Sequence, residues 1–148
     1  MIREARPDDM GRILELGERF FNEAGWSAVF DWDAMSFVES VEDLDANGVL
    51  LVAEDAGQIT GIAGAPVFPA YCNKAVPLSR EMFWYVDPAH RRTSAGPALL
   101  DGLESRVAAK GARTFTMAAL AGRRHAALAR LYRARGYAPV ELSFVKRL

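Results

Sequence analysis

Two arginines, a serine and a glycine stand close together in the segment Arg91-Arg92-Thr93-Ser94-Ala95-Gly96. The pattern predicts a strand just before this segment, from Arg80 to Val86, and an amphipathic helix just after it. The backbone N–H groups at a helix N-terminus lack intrahelical partners, and the helix dipole favours negative charge at that end. The two guanidinium groups add positive charge at the same place. The segment therefore predicts a site for a phosphate or pyrophosphate.

The spacing of residues 91–96 disfavours two common phosphate-binding loops. It lacks the G-x-x-x-x-G-K-[ST] pattern of nucleoside triphosphate sites and the G-x-G-x-x-G pattern of dinucleotide sites. It resembles instead the [QR]-x-x-G-x-[GA] loop that holds the pyrophosphate of acetyl-CoA in the GNAT superfamily of N-acetyltransferases. Ser94 stands where that pattern has glycine, and a requirement for positive φ there would weaken the fit. Taken alone, the segment is also compatible with an ordinary loop that carries a solvated basic surface.

A second segment, Leu128-x-x-Leu131-Tyr132-x-x-x-Gly136-Tyr137, resembles the A-x-x-L-Y-x-x-x-G-[FY] pattern that closes the acetyl-CoA site of the same family. His125 stands where the family usually has Asn. The two segments occur in the order and separation of the family, and the resemblance spans nearly the whole chain. The F-W-x-V-D-P strand and the E-x-x-F-x-K ending also resemble short phage- or prophage-associated members.

The resemblance implies catalytic roles for two residues. It makes the Tyr132 hydroxyl the group that protonates the departing CoA thiolate, and Glu81 the general base that takes the proton of the amine. Two alternatives stay open for Glu81: a charged residue on an exposed strand face, or a water chain as the base. The alternative for Tyr132 is a packing residue on an apolar helix face, and for His125 it is a surface histidine at a helix start. The positions that the resemblance assigns to acetyl-CoA, the first two through their backbone groups, are Trp84, Val86, Arg91, Arg92, Thr93, Ser94, Ala95, Gly96 and His125.

The acceptor side of the family lies between the first two helices and the loops at the far end of the sheet. In this chain those regions supply Phe21, Trp26, Tyr71 and Asn73. An aromatic wall of this kind suits an apolar amine, or a cationic one through cation–π attraction. The same aromatic residues are equally suited to a hydrophobic core. The sequence leaves open whether the acceptor is a small molecule or a peptide.

Composition and charge narrow the class of protein. The chain has 148 residues, 51% hydrophobic and 25% charged, which suits one soluble domain over residues 1–148. A net charge of −1 provides no electrostatic footprint for nucleic acid. Cys72 is the only cysteine, which fits a reducing compartment, and no apolar run approaches the roughly 18 residues of a membrane span. We therefore expect a cytoplasmic protein without a membrane or nucleic-acid partner.

The hydrophobic pattern predicts alternating strands and helices. Pro7 opens a helix, a poorer helix covers Asp33 to Leu44, and Asp55-Ala56-Gly57 predicts a tight hairpin turn. Prolines predict a long irregular loop from Pro66 to Pro77. The last predicted strands run from Arg113 to Leu120 and from Val140 to Val145. Together these elements predict a single α/β domain of the GNAT type, with a mixed, mostly antiparallel sheet flanked by about four helices.

The resulting hypothesis is an N-acetyltransferase that uses acetyl-CoA as cosubstrate, acts on a primary amine by direct transfer in a ternary complex, and needs no metal. The alternative is a catalytically inactive module on the same fold that binds CoA or a protein partner, because a fold does not fix a function. The sequence leaves open whether the protein forms a homodimer.

Overall fold

The computed structural model describes residues 1–120 and 125–148. The described residues divide into two compact units, residues 1–116 and residues 117–148. The α-helices of the first unit are α1 (Met10–Glu23), α2 (Ala34–Asn47) and α3 (Ala95–Ala109), and its strands are β1 (Ile2–Glu4), β2 (Gly48–Asp55), β3 (Gln58–Ala70), β4 (Asn73–Arg80), β5 (Phe83–Val86) and β6 (Phe115–Thr116). The second unit contains α4 (His125–Ala134).

The six strands of the first unit form one mixed sheet. The order is β1-β2-β3-β4-β6, and β5 pairs with β3 beside β4. Strand β3 is 13 residues long, so its first half pairs with β5 and its second half with β4. Every pairing is antiparallel except that of β4 with β6, which is parallel. The predicted α/β class and mostly antiparallel sheet are confirmed.

The predicted loop from Pro66 to Pro77 is wrong, because this segment forms the β3–β4 hairpin. Pro69 and Pro77 are paired directly across the two strands. The Ser79 N–H donates to Thr114 O at 2.9 Å, away from β3. Since alternate residues of a strand direct their N–H groups to the same side, the nitrogen of Pro77 also faces away from β3, where no ladder bond to β3 is lost.

The predicted single strand from Arg80 to Val86 is interrupted at Glu81 and Met82. The Glu81 N–H donates to Thr116 O at 2.8 Å, whereas the Met82 N–H donates to Gly64 O on the opposite side at 2.8 Å. Strand β6 covers only two of the residues from 113 to 120 that were predicted to be a strand. Among the described strands, β5 is therefore paired with β3 alone.

The sheet separates two hydrophobic clusters. Alternating strand residues point to opposite faces, so Phe83 and Tyr85 of β5 pack with α1 and α2, whereas Trp84 and Val86 pack with α3. Helices α1 and α2 approach closely at Gly17. A Cβ atom placed on this glycine would lie 2.3 Å from Cζ of Phe37. Helix α3 buries Leu99 and Leu103 against the other face.

In the second unit, α4 ends as its sequence predicts. Gly136 has φ of 88°, a left-handed conformation that favours glycine, and the Tyr137 N–H donates to Tyr132 O at 2.9 Å. The predicted strand from Val140 to Val145 is wrong, because residues 137–148 form neither helix nor strand. Val140 and Phe144 follow a strand-like alternation but are exposed. A strand needs a neighbouring strand for its hydrogen bonds, and an alternating pattern does not supply one.

Within the part of the chain that the structure describes, the helices are too short or too polar to cross a lipid bilayer.

Candidate active site

The segment before α3 is held in shape by its own hydrogen bonds. A short 3-10 helix covers Pro88–His90, and the Asp87 carboxylate accepts a bond from the Ala89 N–H at 3.2 Å. The Thr93 hydroxyl donates to His90 O at 2.7 Å and accepts from the Ala95 N–H at 3.2 Å. The loop therefore has a defined conformation set by local contacts.

The N-terminus of α3 presents two backbone donors. The first helical bond of this 15-residue helix runs from the Ala98 N–H to Ser94 O at 3.0 Å. The N–H groups of Ser94 and Gly96 have no hydrogen-bond partner among the described residues, and Pro97 has no N–H to donate. Two such amides at the positive end of a helix dipole fit a phosphate group.

Ser94 fits the loop without strain. Its φ is −75° and its ψ is −1°, in the right-handed region that every L-residue adopts. The glycine usual in the pattern is therefore not required here for its conformational freedom. The Ser94 side chain makes no capping bond in α3 and is exposed, so its hydroxyl is accessible to a ligand.

Strand β5 and α3 meet at Gly96. The Trp84 indole Nε1–H donates to Gly96 O at 3.0 Å, which ties the strand to the first turn of the helix. The Asp87 N–H donates to O of Thr60, a residue of β3, at 2.9 Å. Residues alternate along an antiparallel strand, so the backbone groups of Trp84 and Val86 point away from β3. On that side Val86 O accepts a bond from Arg91 Nε at 2.9 Å, and the cofactor role of both residues stays a prediction.

The two arginines have different surroundings. The Arg91 guanidinium bonds Glu23 of α1 at 2.6 Å and Val86 O at 2.9 Å. Arg92 is exposed and makes no hydrogen bond or ion pair within residues 1–120 and 125–148. Of the two predicted phosphate contacts, Arg92 is thus the one whose charge faces solvent at the loop.

A buried carboxylate joins the loop to α1. Asp87 Oδ2 lies 2.9 Å from both Arg12 Nη2 and Arg19 Nη1. Burial alone would raise the pKa of Asp87, but the Ala89 N–H and the two guanidinium groups outweigh burial and hold the pKa below its usual range. This network was not predicted from the sequence, although Arg12 and Arg19 are seven residues apart and so share one face of α1.

Glu81, the predicted general base, is half-buried at the interruption between β4 and β5. Its backbone N–H donates to Thr116 O.

The four predicted acceptor residues fall into two groups. Phe21 and Trp26 both contact Phe30, with ring centroids 5.3 Å and 5.9 Å away. Tyr71 and Asn73 lie at the tip of the β3–β4 hairpin. Tyr71 is 92% exposed there, so it does not pack on the rings of Phe21, Trp26 and Phe30.

The remaining two predicted site residues belong to the second unit. Tyr132 is buried, and its hydroxyl donates to Ala118 O at 2.9 Å. Its ring lies 5.6 Å from that of Tyr137. His125 is exposed at the first position of α4. Within the described ranges, 1–120 and 125–148, no three His, Cys, Asp or Glu side chains are grouped to hold a metal ion.

Sequence comparison identifies the class of protein that this fold and loop define. The family model of the acetyltransferase (GNAT) family matches residues 11–137. The chain therefore belongs to the GNAT family of acetyltransferases, which confirms the resemblance of its two motifs. It is an acetyl-CoA-dependent acetyltransferase, with acetyl-CoA as cosubstrate. A comparison with curated protein sequences found no match.

Solved structures share the fold at low identity. The aminoglycoside 6'-N-acetyltransferase AAC(6')-IG of Acinetobacter haemolyticus is 19% identical with a TM-score of 0.71, covering 100% of this chain and 99% of its own. A ribosomal-protein-alanine N-acetyltransferase of Brucella melitensis is 18% identical with a TM-score of 0.71, covering 100% and 99%. A predicted acetyltransferase of Clostridium acetobutylicum, solved with acetyl-CoA, is 17% identical with a TM-score of 0.75, covering 99% and 95%.

Proposed function

We propose that this protein is an N-acetyltransferase that passes the acetyl group of acetyl-CoA directly to a primary amine while both are bound. The observation that carries the proposal is the pair of backbone donors, Ser94 and Gly96, at the N-terminus of α3. These amides and the Arg92 side chain suit the pyrophosphate. The pantetheine arm is placed along β5 on the family resemblance.

The chemistry needs one base and one acid. The amine nitrogen attacks the thioester carbonyl carbon, the carbon–sulfur bond breaks, the amine gives a proton to a base, and the thiolate takes a proton from an acid. We assign the acid to Tyr132 and the base to Glu81 on the family resemblance. The Tyr132 hydroxyl donates to Ala118 O, so this bond must break before its proton can reach the thiolate.

For the acceptor we propose a small-molecule amine. The exposed rings of Trp26 and Phe30 offer faces for a cationic group, and one solved relative of this fold acts on aminoglycosides. Another relative is named for a ribosomal-protein alanine, so a peptide amine is the competing acceptor class. We place the reaction in the cytoplasm, because the single cysteine, Cys72, is exposed and unbridged, which fits a reducing compartment.

The test is a panel of amines with detection of the released CoA thiol. The panel contains amino acids, polyamines, aminoglycosides and peptides with free N-termini, each with acetyl-CoA and the full chain. We expect amine-dependent thiol release and an acetylated amine by mass spectrometry. Acetyl-CoA binding without transfer to any amine would instead support the inactive binding module, and turnover with peptides alone would replace the proposed acceptor class.

A further inference from the structure

Helix α1 ends in a carboxylate that holds two groups of the β5 strand and the loop after it. Glu23 Oε2 accepts a bond from Arg91 Nη2 at 2.6 Å, and its Oε1 accepts one from the Tyr85 hydroxyl at 2.6 Å. Arg91 also donates through Nε to Val86 O at 2.9 Å, and its guanidinium carbon lies 5.1 Å from the centre of the Tyr85 ring. Glu23, Tyr85 and Arg91 form one connected cluster, which we call the α1 clamp.

The α1 clamp holds Arg91 against the protein, and its side chain is only 22% exposed. Its Nε and Nη2 groups are both engaged within the protein, its face stacks on Tyr85, and the Glu23 carboxylate balances its charge. Burial and the bond to Glu23 raise the pKa of Tyr85 to about 12, so the Tyr85 hydroxyl stays a donor at neutral pH.

A carboxylate near the cofactor loop is electrostatically unfavourable for a polyanion such as acetyl-CoA. Glu23 instead uses both carboxylate oxygens to hold Tyr85 and Arg91. The second attachment of α1, from Arg12 and Arg19 to Asp87, lies on the same stretch between β5 and the loop. Both attachments hold the segment that precedes the Ser94 and Gly96 amides, which points to a role in orienting those donors.

We propose that Glu23 is a positioning residue for the cofactor: through Arg91 and Tyr85 it fixes residues 91–96 against the end of α1, so that the Ser94 and Gly96 amides are oriented for the phosphates. The inference rests on acetyl-CoA as the cosubstrate. It assigns Arg91 to holding the loop and leaves the phosphate contact to the backbone amides and Arg92. Glu23 lies outside both family motifs of the sequence.

The direction in which Glu23→Gln changes CoA affinity distinguishes a positioning role from simple electrostatics. Glu23→Gln removes a negative charge near a polyanion, so electrostatics alone makes CoA binding tighter. The positioning role makes CoA binding weaker, because the loop loses its attachment. Since Glu23 is half-exposed, the expected loss is modest, about two- to fivefold in the CoA dissociation constant.

The experiment is calorimetric titration of CoA into the wild type, Glu23→Gln, Arg91→Gln and the double variant, well below their melting temperatures. We expect each single variant to bind more weakly and the double variant to match the weaker single one, because both remove the same interaction. Tyr85→Phe keeps the ring and removes one bond, so it should fall between wild type and Glu23→Gln. The KM for acetyl-CoA should rise with kcat retained.

Glu18→Gln is the matched control, since Glu18 is an exposed carboxylate on the same helix. It should bind CoA as tightly as the wild type or slightly more tightly. The proposal is overturned if Glu23→Gln binds CoA as tightly as the wild type or more tightly, or if the losses of Glu23→Gln and Arg91→Gln add in the double variant. Failure of the wild type itself to bind CoA would count against the cosubstrate and the proposed function instead.

Discussion

At the scale of residues, Ser94 shows how much a loop motif can predict. The spacing of residues 91–96 correctly indicates a helix N-terminus with open amides, and the serine that departs from the pattern is accommodated by an ordinary backbone conformation. The partners of Arg91 could not be predicted in the same way. Glu23 is 68 residues away in the chain, and no local spacing reports on a contact of that range. A charged side chain near a motif is a candidate phosphate contact, but the tertiary fold decides which other groups that side chain bonds.

The catalytic assignment of Tyr132 leads to a prediction. Tyr132→Phe removes the hydroxyl and keeps the buried ring, so the fold should be retained with a small loss from the bond to Ala118 O. General acid catalysis contributes about 10²–10⁴-fold, and kcat should fall toward the lower end of that range because a CoA thiol is a fair leaving group. Acetyl-CoA affinity should change little. Steady-state kinetics under conditions where chemistry limits the rate measures this.

Unchanged turnover of Tyr132→Phe would make Tyr132 a packing residue and leave the acid unassigned. The melting temperature of the same variant is the control. A large drop in melting temperature would show that the hydroxyl has a structural role, so the kinetic comparison is made with the folded fraction known.

At the scale of elements, helices and tight turns followed from local patterns, and strand pairing did not. The turn at Asp55-Ala56-Gly57 is confirmed by φ of 48° at Ala56 and 78° at Gly57. The β3–β4 hairpin was missed because proline disfavours strands on average. The hydrogen bonds that a strand loses to a proline depend on which side of the strand the proline nitrogen faces. This side cannot be read from the sequence alone. The interruption at Glu81 and Met82 likewise depends on the neighbours of the strand on both sides.

The packing of α1 on α2 leads to a matched pair of substitutions. Gly17→Ala places a methyl group 2.3 Å from the Phe37 ring, so α1 or the ring must move. We expect a loss of about 1–3 kcal/mol in the free energy of unfolding. Gly11→Ala, on the same helix, meets no atom within 4 Å and should be neutral or stabilising. Urea denaturation measures both, and equal effects of the two would contradict the close approach of the helices.

At the scale of the whole molecule, element order predicted the α/β class and the two motifs predicted the family, both correctly. A single domain over residues 1–148 stays a prediction, because the described residues form two compact units. The end of the chain shows why the rest was not predictable. Its alternation of apolar residues indicates a strand, yet residues 137–148 have no regular structure, since a strand also requires a partner that the local pattern does not identify.

The central claim is that the amides at the N-terminus of α3 bind the phosphates of acetyl-CoA, and Ser94→Asp tests it most directly. Aspartate is a favourable residue at this helix N-cap, so the variant without ligand should melt at the same temperature as the wild type or higher. Its carboxylate repels a phosphate at the same amides. We expect acetyl-CoA at about 100 times its dissociation constant to stabilise the wild type by about 2.7 kcal/mol, and the same concentration to stabilise Ser94→Asp far less. An equal shift in melting temperature for both proteins, or none for the wild type, would contradict the claim.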